Sequence, residues 1–226
     1  MAKAALRMAT STVENYLKSL LHIADANEGR VTVGAIAEDL KVTPGTVSTM
    51  MKHLSAEGYV DYQPRRQVNL TEKGRRQALL VVRRHRLIET FLVEVMELDW
   101  GEVHEEAEIL EHVISDRLLD KMDDMLGHPS ADPHGDPIPD RHGRLVASRA
   151  HALSAVSPGS YRLVRVSNED PIFLHWLSAN GLMPGCELRL LQRQESAGIS
   201  ELHVTGQAKP LQLGREAEAA IFVESL

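Results

Sequence analysis

Histidine and glutamate residues recur at helical spacing between residues 85 and 112. His85 and Glu89 are four residues apart, and a second group consists of His104, Glu108, Glu111 and His112. Residues at positions i, i+3 and i+4 share one face of a helix. The spacing therefore predicts two consecutive helices, each with a stripe of imidazole nitrogens and carboxylate oxygens. Together they offer more ligands than one metal ion needs.

A single His–Glu pair at this spacing is usually a solvated surface pair, but six such donors on two consecutive helices favour a metal site. Imidazole and carboxylate ligands suit Mn(II), Fe(II), Co(II) and Zn(II). Cys186 is the only cysteine, which excludes a thiolate-rich zinc finger and an internal disulfide and fits a reducing cytoplasm. Four further histidines, interpreted as exposed loop residues, are His128, His134, His142 and His151.

The charge of the chain is unevenly distributed. The 226 residues carry a net charge of −7, yet residues 1–90 hold 14 Lys and Arg against 9 Asp and Glu, whereas residues 91–226 hold 11 against 23. A basic first part joined to an acidic remainder is expected if only the first part meets phosphate. The sequence shows neither a secretory signal nor an apolar run near the roughly 20 residues of a membrane helix, so we expect a cytoplasmic protein with no membrane partner.

The first 72 residues have the pattern of a winged helix-turn-helix. Residues 10–26 predict an amphipathic helix, with Thr10, Ser11 or Thr12 as its cap. A short helix follows within residues 31–41, and Thr43–Pro44 begins a third that ends at Gly58. Two short strands around the tip Gln63-Pro64-Arg65-Arg66 complete a β-wing.

The third helix has the side chains of a DNA-recognition helix. Its predicted outer face carries small polar or basic residues, which suit phosphate and thymine-methyl contacts: Thr43, Thr46, Ser48, Thr49 and Lys52. Arg65 and Arg66 at the wing tip can reach phosphate or the minor groove. A winged helix used only for protein contacts is the alternative. Because few of these residues can form bidentate base contacts, we expect recognition to rely on DNA shape and on several protein copies.

Helical patterns continue from Glu72 to Glu97 and then over residues 100–113 and 115–126. This apolar helical middle offers a surface for a homodimer. The segment HPSADPHGDPIPD predicts turns, and residues 141–152 a tether. From Leu153 the chain changes to short apolar runs typical of a small β-barrel. We therefore predict an α+β protein with domains at 1–72, 73–140 and 153–226.

The sequence gives little support for an enzyme. A hydrolytic metalloenzyme typically has HExxH or a clustered Asp/His loop set beside a substrate cleft, and neither HEEAE nor EHVIS matches that motif. We see no nucleophile with a partner base, so we expect no small organic substrate. Turnover of any substrate would revive an enzyme of metal handling as an alternative.

These motifs together resemble the diphtheria toxin repressor family, which includes iron-dependent and manganese-dependent regulators. The resemblance covers nearly the whole chain and rests on TVENYLKSL, VTPGTVSTMMKHLSAEGYVDY, VVRRHRLIETFLVEVMELDW, VHEEAEILEHVISD and HPSADPHGDPIP. The segment EDPIFLHWLSANGLMPGCEL resembles the start of the family's SH3-like, or FeoA-like, C-terminal domain. The resemblance implies a homodimeric, metal-activated repressor that binds a double-stranded DNA operator and controls metal-ion homeostasis.

The resemblance also implies two metal sites. The primary site uses a first-helix residue, here Asn15, together with Glu108, Glu111 and His112. The ancillary site uses His85, Glu89 and His104, with help from Asp170 or Glu169 in the C-terminal domain.

The ligand types of the primary site bear on which metal activates the protein. Iron regulators of this family carry Cys at the position of Glu108 and Met in the first helix, whereas manganese regulators carry Glu and Asp. This chain has Glu108, but the neutral Asn15 departs from both patterns. An oxygen ligand in place of the thiolate favours manganese. An iron-dependent regulator, a cobalt- or zinc-responsive protein and a winged helix with structural zinc remain alternatives.

Overall fold

The computed structural model describes the backbone of residues 2–146 and 149–226, and the side chains from Ser11 onward within those ranges. It divides into two compact units. The first unit comprises residues 1–85, 109–116 and 139–145, and the second comprises residues 86–108, 117–138 and 146–226. Among the described helices, none is long and apolar enough to cross a membrane.

The first unit contains the helix-turn-helix. Its helices are α1 (Ala2–Ala26), α2 (Val33–Asp39) and α3 (Pro44–Ala56). Their apolar stripes meet in one core that includes Leu17, Leu20, Ile36, Met51 and Leu54, all fully buried. The caps expected at Thr10, Ser11 or Thr12 are wrong, because α1 already extends from Ala2 and passes through these residues without ending.

Local capping chemistry fixes the starts of α2 and α3. The Thr32 side chain accepts a hydrogen bond from the Ala35 amide, and Thr43 accepts one from the Thr46 amide, with Pro44 following as the first helical residue. The wing is an antiparallel pair of short strands, β1 (Val60–Asp61) and β2 (Asn69–Leu70), in which Val60 pairs with Leu70. The winged helix-turn-helix expected from the sequence is confirmed.

Three helices follow the wing. They are α4 (Glu72–Glu94), α5 (Val103–Leu110) and α6 (Asp116–Met125). The division between the two units falls within α4, after His85, and within α5, after Glu108. Residues 128–140 contain turns and one isolated bridge between Ala131 and Pro137, as their Pro, Gly and Asp content predicted.

The second unit contains a six-stranded sheet in the order β3-β8-β4-β5-β6-β7, with all neighbours antiparallel. The strands are β3 (His151–Ala152), β4 (Gly159–Val166), β5 (Glu187–Gln194), β6 (Ile199–Val204), β7 (Leu211–Gly214) and β8 (Ile221–Ser225). The fold is SH3-like, although the described pairings leave the sheet open between β3 and β7. Strand β3 lies inside the stretch that we interpreted as a tether, because His151 and Ala152 pair with Val223 and Phe222.

Two helices complete the second unit: α7 (Pro171–Ala179) and α8 (Arg215–Ala220). Every second residue along the strands points inward. These side chains pack with Leu174 and Leu177 of α7 and with Trp100 in a second hydrophobic core. Trp100 precedes α5, so this core holds the start of α5 against the sheet.

The turn segment 128–138 is packed against β4 within the second unit. The amide of Val166 donates to the carbonyl of His134 at 2.8 Å. Gly135 has a φ of +87°, and a Cβ atom there would lie 1.9 Å from the Val164 carbonyl oxygen. Only glycine fits this close approach of two backbones.

We predict that Gly135→Ala lowers the free energy of unfolding by about 1–3 kcal/mol more than Gly127→Ala. Gly127 is the matched control, because its φ of +70° carries a similar backbone cost while nothing lies within 4 Å of a Cβ there. Urea denaturation of both variants measures the difference. Equal losses would show that the turn segment is not pressed against β4.

Candidate DNA-binding surface and metal centre

The outer face of α3 carries hydroxyl groups that already form hydrogen bonds within the helix. Ser48 Oγ donates to the Pro44 carbonyl at 2.9 Å, and Thr49 Oγ1 donates to the Gly45 carbonyl at 3.1 Å. Thr43 and Thr46 share a hydroxyl–hydroxyl hydrogen bond of 2.9 Å. Val47 and Met51 point into the core, so the small polar residues and Lys52 form the accessible side of the helix.

The wing tip adds two exposed arginines. Arg65 adopts a left-handed conformation with φ of +66°, and Arg66 donates its backbone amide to the Gln63 carbonyl at 3.1 Å. The guanidinium groups of both residues extend from this tight turn into solvent. Such placement suits phosphate contacts, which do not depend on base sequence.

The first unit also contains a buried cluster of acids and imidazoles. Glu14 on α1 is 6 % exposed and accepts hydrogen bonds from His112 Nδ1 and Arg84 Nη1, both at 2.8 Å. Burial raises the pKa of Glu14, but the bonds from His112 and Arg84 outweigh that effect, so the pKa lies below its usual value. The carboxylate is therefore ionised at neutral pH and holds His112 with its Nδ1 protonated.

Glu111 is the most deeply buried acid of this cluster, with none of its side chain exposed. Its Oε2 accepts from His85 Nδ1 at 2.7 Å, and its Oε1 accepts from Lys18 Nζ at 2.8 Å. The same Oε1 lies 3.4 Å from His112 Nε2. The resemblance assigns His85 and Glu111 to different metal sites, whereas the structure brings their side chains into direct contact.

Two buried atoms of the first unit are available to a cation. His112 Nε2 and Asn15 Oδ1 are both buried without a hydrogen-bond partner. Because Glu14 holds the proton on Nδ1 of His112, the lone pair of Nε2 is available to a metal, in the usual carboxylate–histidine–metal arrangement. Burial of an unpaired acceptor is unfavourable, and a divalent ion bonded to His112 Nε2 would satisfy that atom.

A second group of donors lies within the second unit. His104 Nδ1 is 3.0 Å from Glu169 Oε2 and 3.4 Å from Glu89 Oε1, and its Nε2 is 3.7 Å from Glu108 Oε1. Of the two acids expected from the C-terminal domain, Glu169 therefore contacts this group. Asp170 instead caps α7 by accepting a hydrogen bond from the Phe173 amide.

The structure adds residues that the sequence did not reveal. Asp132 and His134 are 8 % and 1 % exposed and lie beside Glu89 within the second unit. The interpretation of His134 as an exposed loop residue is wrong, because Gly135 allows the turn segment to press against β4. His128, His142 and His151 are exposed, as expected. Glu14, next to the expected ligand Asn15, was also missed, although its position seven residues before Leu21 marks the inner face of α1.

Family models match three consecutive parts of the chain. Residues 8–68 match "Iron dependent repressor, N-terminal DNA binding domain", residues 71–140 match "Iron dependent repressor, metal binding and dimerisation domain", and residues 151–225 match the FeoA domain.

Individual relatives agree with these matches. The diphtheria toxin repressor of Corynebacterium diphtheriae is 36 % identical over 202 residues, which cover 84 % of this chain and 88 % of that protein. The iron-dependent repressor IdeR of Mycobacterium leprae is 35 % identical over 162 residues, covering 71 % and 68 %. A solved manganese-dependent transcriptional repressor in complex with manganese superposes with a TM-score of 0.87 at 39 % identity, covering 95 % of this chain and all of that one.

We predict that Arg66→Ala weakens binding about equally to specific and random duplex DNA, because we expect a guanidinium at the wing tip to contact phosphate. The dependence of log K on log salt should also become shallower by about one unit. Fluorescence anisotropy over a salt series measures both effects. Arg189→Ala, an exposed arginine on β5, serves as the control and should change neither. A loss confined to one DNA sequence would mean that Arg66 reads bases.

Proposed function

This chain belongs to the iron-dependent repressor family and is a metal-dependent DNA-binding transcriptional repressor; from that premise we propose that manganese(II) activates it. The observation that carries the proposal is the buried cluster of Glu14, Glu111 and His112, with its unpartnered imidazole nitrogen. We further propose that the protein is a cytoplasmic homodimer that binds a double-stranded DNA operator and controls metal-ion homeostasis.

The donor types support manganese over a softer ion. The proposed primary ligands are Glu108, Glu111, His112 and Asn15, which offer three kinds of oxygen or nitrogen donor and no sulfur. Harder ions such as Mn(II) prefer carboxylate and carbonyl oxygen, whereas thiolate and thioether select softer ions. The solved repressor superposed above contains manganese. Iron(II) is the second candidate, because the relatives of known sequence include iron-dependent repressors; cobalt and zinc suit the same donors.

We propose that His85, Glu89, His104 and Glu169 form the ancillary set. His104 supports this assignment, because its Nδ1 lies between carboxylate oxygens of Glu169 and Glu89. Asp170 is the weaker candidate, since its side chain already caps α7.

The proposed activation follows from where the primary residues lie in the first unit. Asn15 and Glu14 are on α1, the helix that packs with α2 and α3 in the same core, and Glu111 and His112 follow α5. A divalent cation held by these side chains would supply positive charge to the carboxylates and accept the lone pair of the imidazole. These side chains then fix α1, and with it the recognition helix α3, relative to Glu111 and His112.

A fixed orientation matters because the DNA target spans two copies of the protein. In a homodimer, two α3 helices must enter successive major grooves about 34 Å apart. Angular freedom of α3 populates geometries that do not fit both grooves and so lowers affinity. Ligands that order α1 thereby favour the DNA-competent state.

Exposed apolar side chains support the homodimer. Met96 and Met125 of the second unit are 57 % and 66 % exposed, although each lies on or beside the central helices. These residues fall in the segment matched by the dimerisation domain model. Exposed large apolar side chains that recur in one region mark an interaction surface.

We predict that His112→Ala abolishes metal-activated DNA binding while the fold is retained, because the variant removes the imidazole whose Nε2 is free for a cation. Operator binding is titrated with Mn(II), and circular dichroism checks the fold. His128→Ala, which removes an exposed histidine, is the control and should bind as wild type. Wild-type manganese dependence in His112→Ala would place the activating site elsewhere.

We predict that Asn15→Asp lowers the Mn(II) concentration for half-maximal DNA binding without changing maximal occupancy. Asn15 offers one neutral carbonyl oxygen, and a carboxylate there adds negative charge around a divalent ion. Asn15→Met should shift preference toward softer metals. Titrations with Mn(II), Fe(II), Co(II) and Zn(II) at fixed protein measure these shifts. If the Asn15→Asp curve overlays wild type, Asn15 is not a ligand, and Glu14 becomes the α1 residue to test.

A further inference from the structure

Lys18 of α1 brings a positive charge to the most deeply buried acid of the first unit. Its Nζ donates a hydrogen bond to Glu111 Oε1 at 2.8 Å, and the two side chains are 22 % and 0 % exposed. A buried carboxylate is costly unless a positive charge compensates it, and an ammonium at hydrogen-bond distance does so. Lys18 therefore supplies, from within the chain, the charge that Glu111 requires.

The carboxylate oxygen that Lys18 binds is also the one beside the unpartnered imidazole nitrogen. His112 Nε2 lies 3.4 Å from Glu111 Oε1, while Nδ1 of the same ring is bonded to Glu14. The other oxygen of Glu111, Oε2, accepts from His85 Nδ1 at 2.7 Å. A ligand pair formed by His112 Nε2 and the nearer oxygen of Glu111 would therefore use the atom that Lys18 already binds.

A second ion pair compensates the other buried acid of this cluster. Arg84 Nη1 lies 2.8 Å from Glu14 Oε1, and the two side chains are 18 % and 8 % exposed. Glu14 and Glu111 therefore each have one basic side chain bound, and their charges are balanced in pairs. Adding a divalent charge beside acids that are already compensated is less favourable than adding it beside unpaired carboxylates, because like charges repel.

We propose that Lys18 sets the metal concentration needed for activation, because its ammonium competes with the activating ion for Glu111 Oε1. Two effects of opposite sign follow. Lys18 stabilises the metal-free fold by pairing with a buried carboxylate, and it weakens metal binding because the ammonium has to leave that oxygen and repels a divalent charge nearby. The inference rests on the proposed primary site of Glu111 and His112, to which it adds a residue that the family resemblance does not assign.

The test measures Mn(II) binding to the full-length protein directly, without DNA, from the paramagnetic resonance signal of free Mn(II). Lys18→Met nearly keeps the length of the side chain and removes its charge. The half-saturating Mn(II) concentration should fall about 10- to 100-fold in this variant, the range over which groups around a metal site alter its affinity. Lys18→Arg keeps the charge and should bind close to wild type. Lys209→Met removes an exposed lysine of the second unit and should bind as wild type.

Thermal unfolding in the presence of a chelator gives a second readout. Lys18→Met should unfold at a lower temperature than wild type, because Glu111 loses the ammonium bound to Oε1. A lysine with only a structural role would lower stability without tightening Mn(II) binding. Unchanged or weaker Mn(II) binding in a folded Lys18→Met variant therefore overturns the proposal.

The variant His112→Ala separates failure of this inference from failure of the proposed primary site. If its Mn(II) binding curve overlays wild type, the primary site lies elsewhere and the role of Lys18 falls with it. If the curve changes in His112→Ala but not in Lys18→Met, the site stands and only the role of Lys18 is overturned.

Wild-type crystals grown with and without Mn(II) provide a measurement that does not depend on the folding of any variant. Lys18 Nζ should bind Glu111 Oε1 in the metal-free crystals and should have left that oxygen in crystals where Mn(II) is bonded to Glu111. A Lys18–Glu111 bond that is retained with Mn(II) on the same carboxylate oxygen overturns the proposal even if Lys18→Met does not fold.

Discussion

The burial of Glu111 is the constraint on which the first unit depends. A carboxylate with no exposed side chain loses several kcal/mol of hydration, so the fold has to supply compensating groups. Lys18 of α1 and His85 of α4 bind its two oxygens, and His112 lies beside Oε1. One acid thereby ties three parts of the chain that are distant in sequence. An ion bonded to Glu111 Oε1 would compete with the Lys18 ammonium, so metal binding there would rearrange a contact that holds α1.

Features with a local cause could be predicted from the sequence. Thr43 followed by Pro44 predicted the start of α3, and the polar tip Gln63–Arg66 between two short strands predicted the wing, because capping and strand pairing act within a few residues. Helical spacing predicted that His104 and Glu108 share one face of a helix, and His104 Nε2 lies 3.7 Å from Glu108 Oε1. The expectation that the C-terminal domain contributes an acidic residue came from the family resemblance and not from the periodicity of the sequence.

Features that depend on long-range packing could not be predicted in this way. Glu14 meets His112 across 98 residues, and no spacing rule connects them. His134 was interpreted as exposed because Pro, Gly and Asp usually mark surface loops. The close approach of Gly135 to the Val164 carbonyl overrides that tendency and buries the turn. The start of the sheet at His151 was likewise hidden, since a two-residue strand is defined by its partner β8 rather than by its own pattern.

The arginines around the Asp132 turn show how the second unit distributes positive charge among its buried acids. Arg86 contacts Asp132 only through Nε at 3.4 Å, whereas its Nη2 donates to Asp136 Oδ1 at 3.1 Å and its Nη1 donates to the Pro137 carbonyl at 2.7 Å. Arg165 Nη1 also contacts Asp136 Oδ1, at 3.2 Å, so the charge of Asp136 is balanced independently. The short contacts of these arginines therefore go to Asp136 and to the turn backbone, whereas Asp132 Oδ1 relies on the backbone amides of His134 and Asp136.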